Sequence, residues 1–455
     1  MNSPAIAAET APPKKSPAAK AVPVQSVSLL RKLVWLYLIL WLVEGGLRRW
    51  FLPGLASPLL LIRDPLVILI YFFAANNNLF PTNGFVIWGG LLGLLTFLNA
   101  LLLGHGNVFV ALYGVRCDFL HVPLIFIIGK ILRHKDVLAL ARIGVWISVP
   151  FTALLVAQFY EPQEAWVNRG VGGDMAGAGF DGALDRFRPP GTFSFITGPA
   201  LLYPLFTACW FALLIAKKFS LPAMIASGAA ILAAIPISIS RSLFLAVVIV
   251  TMAGIAGLVA GGRFSIKLVA QFVCVAGVLF LLAGQSHVFS DGMEAFSARW
   301  EGATTDQGGF KEAIVDRVIE GFFGAFGSVS GAGCGTGFST NVGQQLATQH
   351  LGFGAAEAEW GRLLYDNGFM LGSLLIAYRI ALAGTILFAA VRAWQRRSPI
   401  ALMFAAACFL TVLNGQWGQT TTLGAAVIGG GLALAAAKPE LKKKKTAAMP
   451  KPCAA

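Results

Sequence analysis

The sequence contains little charge for its length. Only 12% of its 455 residues are charged, whereas about 25% are charged in an ordinary soluble domain. Hydrophobic residues make up 57% of the chain, and the mean hydropathy is +0.73. Apolar runs of about 20 residues, long enough to cross a bilayer, recur along the whole sequence. The composition therefore excludes a soluble globular protein and predicts an all-α polytopic membrane protein.

Paired cysteines and nucleotide-binding motifs are also missing. The six cysteines show no paired spacing and four fall in apolar runs, so neither a disulfide framework nor a metal site is predicted. The glycine-rich stretch from Gly324 to Gly343 contains no GxxxxGK[ST] pattern, which disfavours a nucleotide site. No internal repeat is visible, which disfavours a transporter built from repeated halves. We expect no cofactor.

Positive charge is present, but it is confined to particular places. The net charge of +14 is concentrated in short loops and in the two tails, as the positive-inside rule requires, and this distribution argues against a nucleic-acid partner. Residues 1–27, rich in Ala, Pro, Ser and Lys, are predicted to form a disordered cytoplasmic tail. Residues 438–455 are predicted to form a basic cytoplasmic tail.

Between the tails, residues 28–437 are predicted to form one membrane domain of about twelve spans. With both termini cytoplasmic, two long polar loops face outward, at residues 161–190 and 285–362. In the second loop, residues 308–326 have apolar side chains at helical spacing, which predicts an amphipathic helix on the membrane surface. The predicted spans lie at about residues 33–44, 57–73, 84–103, 108–128, 143–160, 192–216, 221–237, 243–260, 268–284, 363–391, 400–413 and 423–437.

Four charged residues interrupt the apolar runs of neighbouring predicted spans: Arg63, Asp64, Arg116 and Asp118. Charge inside a span is costly, so such residues face the bundle interior and are candidates for function. Two interpretations remain open. They form a salt-bridge network that fixes helix packing, or they line a polar pocket.

The outward loops carry several arginines but a single lysine, Lys311. Guanidinium groups bind phosphate oxygens in a bidentate manner that lysine cannot copy, so this bias favours recognition of an anion. The alternative is that the arginines snorkel to ordinary phospholipid. The set comprises Arg186, Arg188, Arg241, Arg299, Arg317 and Arg362.

Groups for proton transfer and for close ligand approach also fall in the second outer loop. His350, Glu357, Glu359 and Asp366 are the possible proton acceptors, although a lone outward histidine is commonly a polar surface residue. The glycine-rich stretch would permit close backbone approach to a bulky ligand such as a sugar.

The order of these features resembles the O-antigen ligase and O-antigen polymerase superfamily, which includes exopolysaccharide polymerases. The resemblance covers most of the chain and rests on loose motifs taken in order: an outer loop before RPPGTFSFITG, an ISRS segment at a span start, and a large late loop. That loop ends in GxGxG at Gly333, Gly335 and Gly337, followed by EAEWGRLLYDNGFMLG. Asp366 and Gly368 match the acid and glycine of the family pattern.

The resemblance implies a GT-C-like membrane glycosyltransferase on the outer face of the bacterial inner membrane. Its substrate would be a polyprenyl-diphosphate-linked glycan, with no metal and no nucleotide sugar, and its partners would be membrane lipid and other polysaccharide assembly and export proteins. Arg188 and Arg241 match the diphosphate-clamp positions, with Arg186 and Arg362 as neighbours and Arg317 as a further substrate-binding candidate. Glu357, His350 and Arg362 are the catalytic candidates that the resemblance implies.

One position departs from the ligase pattern. Where ligases have histidine, counting back from Gly368, this sequence has Glu357. Three explanations remain open: either Glu357 acts as the base, or His350 reaches the site and acts as the base, or the enzyme is a polymerase with other acid-base needs. The departure favours a polymerase over a ligase that transfers glycan to lipid A or protein. A transporter of lipid-linked oligosaccharide and a structural subunit of an export complex are the remaining alternatives.

Overall fold

The computed structural model describes residues 24–259, 286–306, 323, 331–346 and 358–439. In this part, seven helices are long and apolar enough to cross a membrane, and three shorter apolar helices accompany them. The predicted all-α membrane architecture agrees with this finding. The ninth predicted span, residues 268–284, lies outside the described residues, so the total of twelve spans stays a prediction.

Most helices begin and end within about five residues of the predicted span limits, but the helices Val24–Gly46 and His134–Tyr160 begin well before the predicted starts at residues 33 and 143. Both helices continue into charged sequence, so residues 24–27, predicted as part of a disordered tail, are helical. The described helices are α1 (Val24–Gly46), α2 (Ala56–Leu59), α3 (Arg63–Asn76), α4 (Gly84–Leu102), α5 (Val108–Val115), α6 (Val122–Ile131), α7 (His134–Tyr160), α8 (Thr197–Ala216), α9 (Leu221–Ile237), α10 (Arg241–Leu258), α11 (His287–Asp306), α12 (Asn341–Leu346), α13 (Glu359–Gln395), α14 (Ile400–Asn414) and α15 (Thr420–Ala436). π-Helical turns at Leu47–Phe51 and Arg116–Leu120 follow α1 and α5. Two strands, β1 (Phe180–Ala183) and β2 (Arg186–Arg188), form one antiparallel hairpin.

Helix α15 lies at the centre of the bundle and is buried along nearly its whole length. It contacts α6, α8, α13 and α14. Its glycines make this possible: a Cβ at Gly424 would lie 2.2 Å from Trp41, and one at Gly431 would lie 2.6 Å from Ile128. Inside a membrane the hydrophobic effect does not drive helices together, so their association depends on van der Waals packing, and small residues allow the close approach that this packing needs. The apolar run of small residues near the carboxyl end thus becomes the packing core.

The two ends of the bundle differ in character. At the basic end, Arg31 pairs with Asp136 at 3.5 Å, and Lys438 Nζ donates to the carbonyl oxygen of Lys130 at 2.8 Å. At the opposite end, which we call the loop end, the hairpin, α11 and residues 331–346 come together with the helix termini around them. Thr197 donates to Gln419 there, and Gly418 lies against Thr340. The segment before α15 therefore contacts both the start of α8 and residues 331–346.

Candidate functional site

The hairpin at the loop end carries two of the predicted substrate-binding arginines. The hairpin turn places Leu184 and Asp185 at φ of 54° and 56°, the left-handed conformation that tight two-residue hairpins need. Arg186 and Arg188 follow on β2, where residues two apart point to the same side. The Arg186 guanidinium lies over the rings of Phe159 and Tyr160, at 5.1 and 5.0 Å from their centroids. Cation–π contact therefore fixes Arg186 against the end of α7.

Arg188 lies in a group of three arginines drawn from three elements. Arg241 is the first residue of α10, whose start is capped by the Ser240 hydroxyl accepting from the Leu243 N–H. A Cβ on Gly182 of β1 would lie 2.6 Å from Ile239 and 3.5 Å from the Arg188 side chain, so the hairpin packs on the segment leading into α10. From α11, Arg299 donates to the carbonyl oxygens of Asp181 and Gly182 at 3.2 and 2.9 Å. We call Arg188, Arg241 and Arg299 the arginine cluster.

The electrostatics of Arg188 are those of an uncompensated cation. Burial, followed by the positive charges of Arg299 and Arg241, lowers the pKa of Arg188 to about 10. Its Nε is buried and has no hydrogen-bond partner among the described residues. An anion placed against this guanidinium would restore both the charge balance and the missing hydrogen bonds.

The sequence predicted Arg188 and Arg241 as substrate-binding residues but did not predict that role for Arg299. Arg299 belonged to the outward arginine set, yet its segment read as loop, so nothing linked it to Arg188. The structure makes residues 287–306 a helix, and the same helix meets α7 through a 2.9 Å hydrogen bond from Tyr160 to Asp291. Non-local packing of this kind leaves no spacing signal in the sequence.

The charged residues predicted inside the spans form buried ion pairs, and some of their partners lie outside the predicted set of four. Asp64 accepts two hydrogen bonds from Arg116, at 2.7 and 2.9 Å, and contacts His121 at 2.9 Å. Arg63 pairs with Glu44 at 2.9 Å, a residue at the end of α1. The salt-bridge interpretation is thus confirmed for these residues, and the pairs join α1, α3 and the π-helical turn after α5.

Arg362 lies in a second buried network. The sequence reading placed it at the end of an outer loop, but α13 already begins at Glu359 and leaves Arg362 only 3% exposed. Its guanidinium contacts three carboxylates, Asp118 at 2.7 Å, Glu359 at 2.9 Å and Asp366 at 3.4 Å. The contacts that hold Arg362 are those of a helix-packing ion pair, not those of an exposed catalytic group.

A further arginine, which is not among the predicted site residues, completes this network. Arg379, 20 residues after Glu359 on α13, pairs with Glu359, and its guanidinium lies 3.9 Å from the Trp417 ring centroid. Its interruption of an apolar run was the available signal.

Residues 331–340, which contain the GxGxG motif, are packed into the bundle. A Cβ on Gly333 would lie 2.3 Å from the Gly368 nitrogen, and one on Gly337 would lie 2.3 Å from the Val110 carbonyl oxygen. Gly333, Gly335 and Gly337 all have positive φ. These glycines therefore serve close approach to the protein's own helices, which differs from the expected close approach to a sugar.

Asp366 organises the same segment. Its carboxylate accepts from the backbone N–H of Gly337 at 3.2 Å, and from the N–H and hydroxyl of Ser339 at 3.0 and 2.6 Å. Its backbone oxygen accepts from Gly335 at 2.7 Å. Asp366 thus has a structural role in this chain, because its buried carboxylate holds the glycine-rich segment against α13.

Several sequence predictions fall outside the described residues. They concern the catalytic candidates His350 and Glu357, the substrate-binding candidate Arg317, the amphipathic helix at 308–326 apart from Phe323, and most of both tails. Among the residues that are described, no group of three or more His, Cys, Asp or Glu side chains is arranged to hold a metal ion.

Comparison with known proteins adds no assignment. The chain matches no protein-family model, and no curated protein matches its sequence.

Proposed function

We propose that this chain is a membrane glycosyltransferase that joins polyprenyl-diphosphate-linked oligosaccharide units into O-antigen or exopolysaccharide. The proposal includes a GT-C-like bundle, a location in the bacterial inner membrane, both termini in the cytoplasm and the loop end facing outward. The observation that carries it is the arginine cluster, where Arg188 lies beside two other guanidiniums with its Nε unpartnered among the described residues.

The chemistry requires a place for developing negative charge. An acceptor hydroxyl attacks the anomeric carbon, the bond from that carbon to the diphosphate oxygen breaks, and its electron pair leaves with the diphosphate. Fixed positive charge at this point stabilises the transition state more than the ground state, which lowers the barrier. In this proposal Arg188, Arg241 and Arg299 hold the leaving diphosphate, Arg186 positions the hairpin, and Glu357 or His350 accepts the hydroxyl proton.

The position of the cluster favours an enzyme over a transporter. Its members come from β2, the start of α10 and α11, all at the loop end. The four charged residues predicted inside the spans, by contrast, are engaged in buried ion pairs. Charges committed to packing are poorly placed to carry a substrate through the bundle.

Substitution in the producing cell tests the proposal. Arg188→Ala and Arg241→Ala should abolish the surface polysaccharide while the protein stays at normal level in the membrane, and Arg188→Lys should restore only part of the product because lysine lacks the fork. Arg392→Ala, an exposed arginine at the far end of α13, is the matched control and should leave the product unchanged. Normal polymer in both cluster variants would exclude a diphosphate clamp here.

The deletion strain separates polymerase from ligase. Single repeat units left on the carrier lipid indicate a polymerase, which we expect. Full-length chains left on that lipid indicate a ligase.

A further inference from the structure

A cavity of about 440 Å³ opens at the basic end, away from the arginine cluster. It lies between α7, the turn from α8 to α9, and the first residues of α9. The lining residues are Arg142, Val145, Trp146, Leu213, Lys217, Lys218, Phe219, Ser220, Ala223 and Met224.

The cavity has an apolar floor and a cationic rim. Val145, Leu213 and Met224 are 2 to 3% exposed and form the floor. Arg142, Lys217 and Lys218 are exposed at the rim, and no carboxylate of the described residues belongs to the lining. A ligand that fits this surface carries negative charge at one end and hydrocarbon at the other.

Aromatic side chains place the opening at the membrane surface. Trp146 is 63% exposed and Phe219 is 41% exposed, beside the basic rim. Exposed tryptophan next to lysine and arginine is typical of the headgroup region of a bilayer.

The turn from α8 to α9 adds hydrogen-bond donors. Lys217 follows the last residue of α8 in the left-handed conformation, at φ 53°, which ends the helix. Lys217 and Lys218 therefore both lie in the turn. The Ser220 side chain occupies the N-cap position of the 17-residue α9 but makes no capping hydrogen bond. Ser220 lines the cavity together with the three cations, so its hydroxyl and the amino-terminal end of α9 lie at the same opening.

We propose that this cavity binds an anionic phospholipid, with its phosphate against Arg142, Lys217, Lys218 and Ser220 and an acyl chain on the apolar floor. Three cations with no lining carboxylate favour a headgroup of net negative charge over zwitterionic phosphatidylcholine, whose choline would be repelled. The site belongs to the basic end and does not depend on the proposed glycosyltransferase activity.

Lipid binding to the purified full-length protein tests the site. The protein is reconstituted in nanodiscs of phosphatidylcholine alone or with phosphatidylglycerol, and thermal unfolding and retained lipid by native mass spectrometry are measured. We expect phosphatidylglycerol to raise the melting temperature and to be retained over phosphatidylcholine. The triple variant R142A/K217A/K218A should lower the affinity for phosphatidylglycerol at least about tenfold, since each cation near the membrane surface contributes appreciably.

The control removes equal charge from the same end. Arg392, Arg396 and Arg397 are exposed and lie outside the cavity lining, so R392A/R396A/R397A should keep the phosphatidylglycerol preference. Equal loss in both triple variants would indicate general surface attraction and overturn the site, as would no loss in either. Full displacement of the lipid by inorganic phosphate would show an anion site without a lipid requirement and overturn the proposal. R142Q/K217Q/K218Q removes the same charges but keeps polar side chains. It should also lower the affinity for phosphatidylglycerol, and it provides the test if the alanine triple variant folds poorly.

Discussion

Two kinds of arginine are distinguished by their partners. Arg362 contacts three buried carboxylates, while Arg188 lies near two cations and has a buried Nε without a partner among the described residues. The sequence placed both in one outward set, because residue type and a polar neighbourhood are all that a sequence offers. Their separation requires knowledge of which helices pack together, and from it we infer structural and ligand-binding roles respectively.

Removal of the Arg362 charge should unfold the loop end of the bundle. Arg362→Gln leaves three carboxylates buried without their cation, and breaking a buried pair in this way costs about 3–5 kcal/mol. We expect a clear fall in melting temperature in detergent, with Arg392→Gln unchanged as the exposed control. A melting temperature equal to that of the unmodified protein would mean that the network contributes no net stability.

Arg188 and lysine at the same position should respond differently to pH. A cation with a lowered pKa loses its charge as the pH rises through that pKa, so anion binding by the unmodified protein should be steady to pH 9 and weaken above about 10. Lysine starts from a lower reference pKa of about 10.4, and burial beside other cations lowers the pKa of an amine in the same direction. Diphosphate titrations should therefore show that binding by Arg188→Lys weakens at a lower pH than binding by the unmodified protein. Coincident profiles would mean that burial and neighbouring charge do not act on this position.

At the scale of elements, the helices follow from the sequence and their contacts do not. Apolar length predicted most described spans to within about five residues, because bilayer thickness sets the length of an apolar helix. It missed the first turns of α1 and α7, because these turns lie in charged sequence. The hairpin at 180–188 and helix α11 were read as loops, since both are short or polar and are defined by packing on α7, α9 and α10. Two of the three arginines of the cluster, Arg188 and Arg299, lie on these two elements.

The glycine-rich segment provides a test of element packing. Gly114 of α5 meets residues 331–340 directly, because a Cβ there would lie 2.5 Å from the Gly337 nitrogen. Gly114→Ala should displace this segment at a cost of about 1–3 kcal/mol, and hydrogen exchange at residues 331–340 should rise. Gly90→Ala is the control: a Cβ at that position meets nothing within 4 Å, so stability should hold or increase slightly. Unchanged exchange in Gly114→Ala would mean that the segment does not depend on this contact.

At the scale of the whole molecule, the bundle is polarised. Basic groups such as Arg31, Lys130 and Lys438 gather at one end, and the hairpin, α11 and the glycine-rich segment at the other. The sequence predicted this alternation from the distribution of lysine and arginine, which depends on order along the chain rather than on tertiary contacts. Which end faces the cytoplasm is part of the proposal.

Cysteine labelling should reveal the orientation. In a variant with its native cysteines replaced by alanine, Met175→Cys marks the exposed loop end and Lys135→Cys the exposed basic end. A membrane-impermeant maleimide should label Met175→Cys in intact cells and Lys135→Cys only after permeabilisation. The reverse pattern would place the arginine cluster in the cytoplasm and remove the proposed reaction with it.

The most direct measurement is the affinity of the purified protein for farnesyl diphosphate, compared with farnesyl monophosphate. We predict that the diphosphate binds more tightly and that Arg188→Ala weakens its binding at least about tenfold, since a charge-assisted bidentate contact contributes about 1.5–3 kcal/mol. Equal affinity of the unmodified protein and Arg188→Ala for the diphosphate would contradict this prediction.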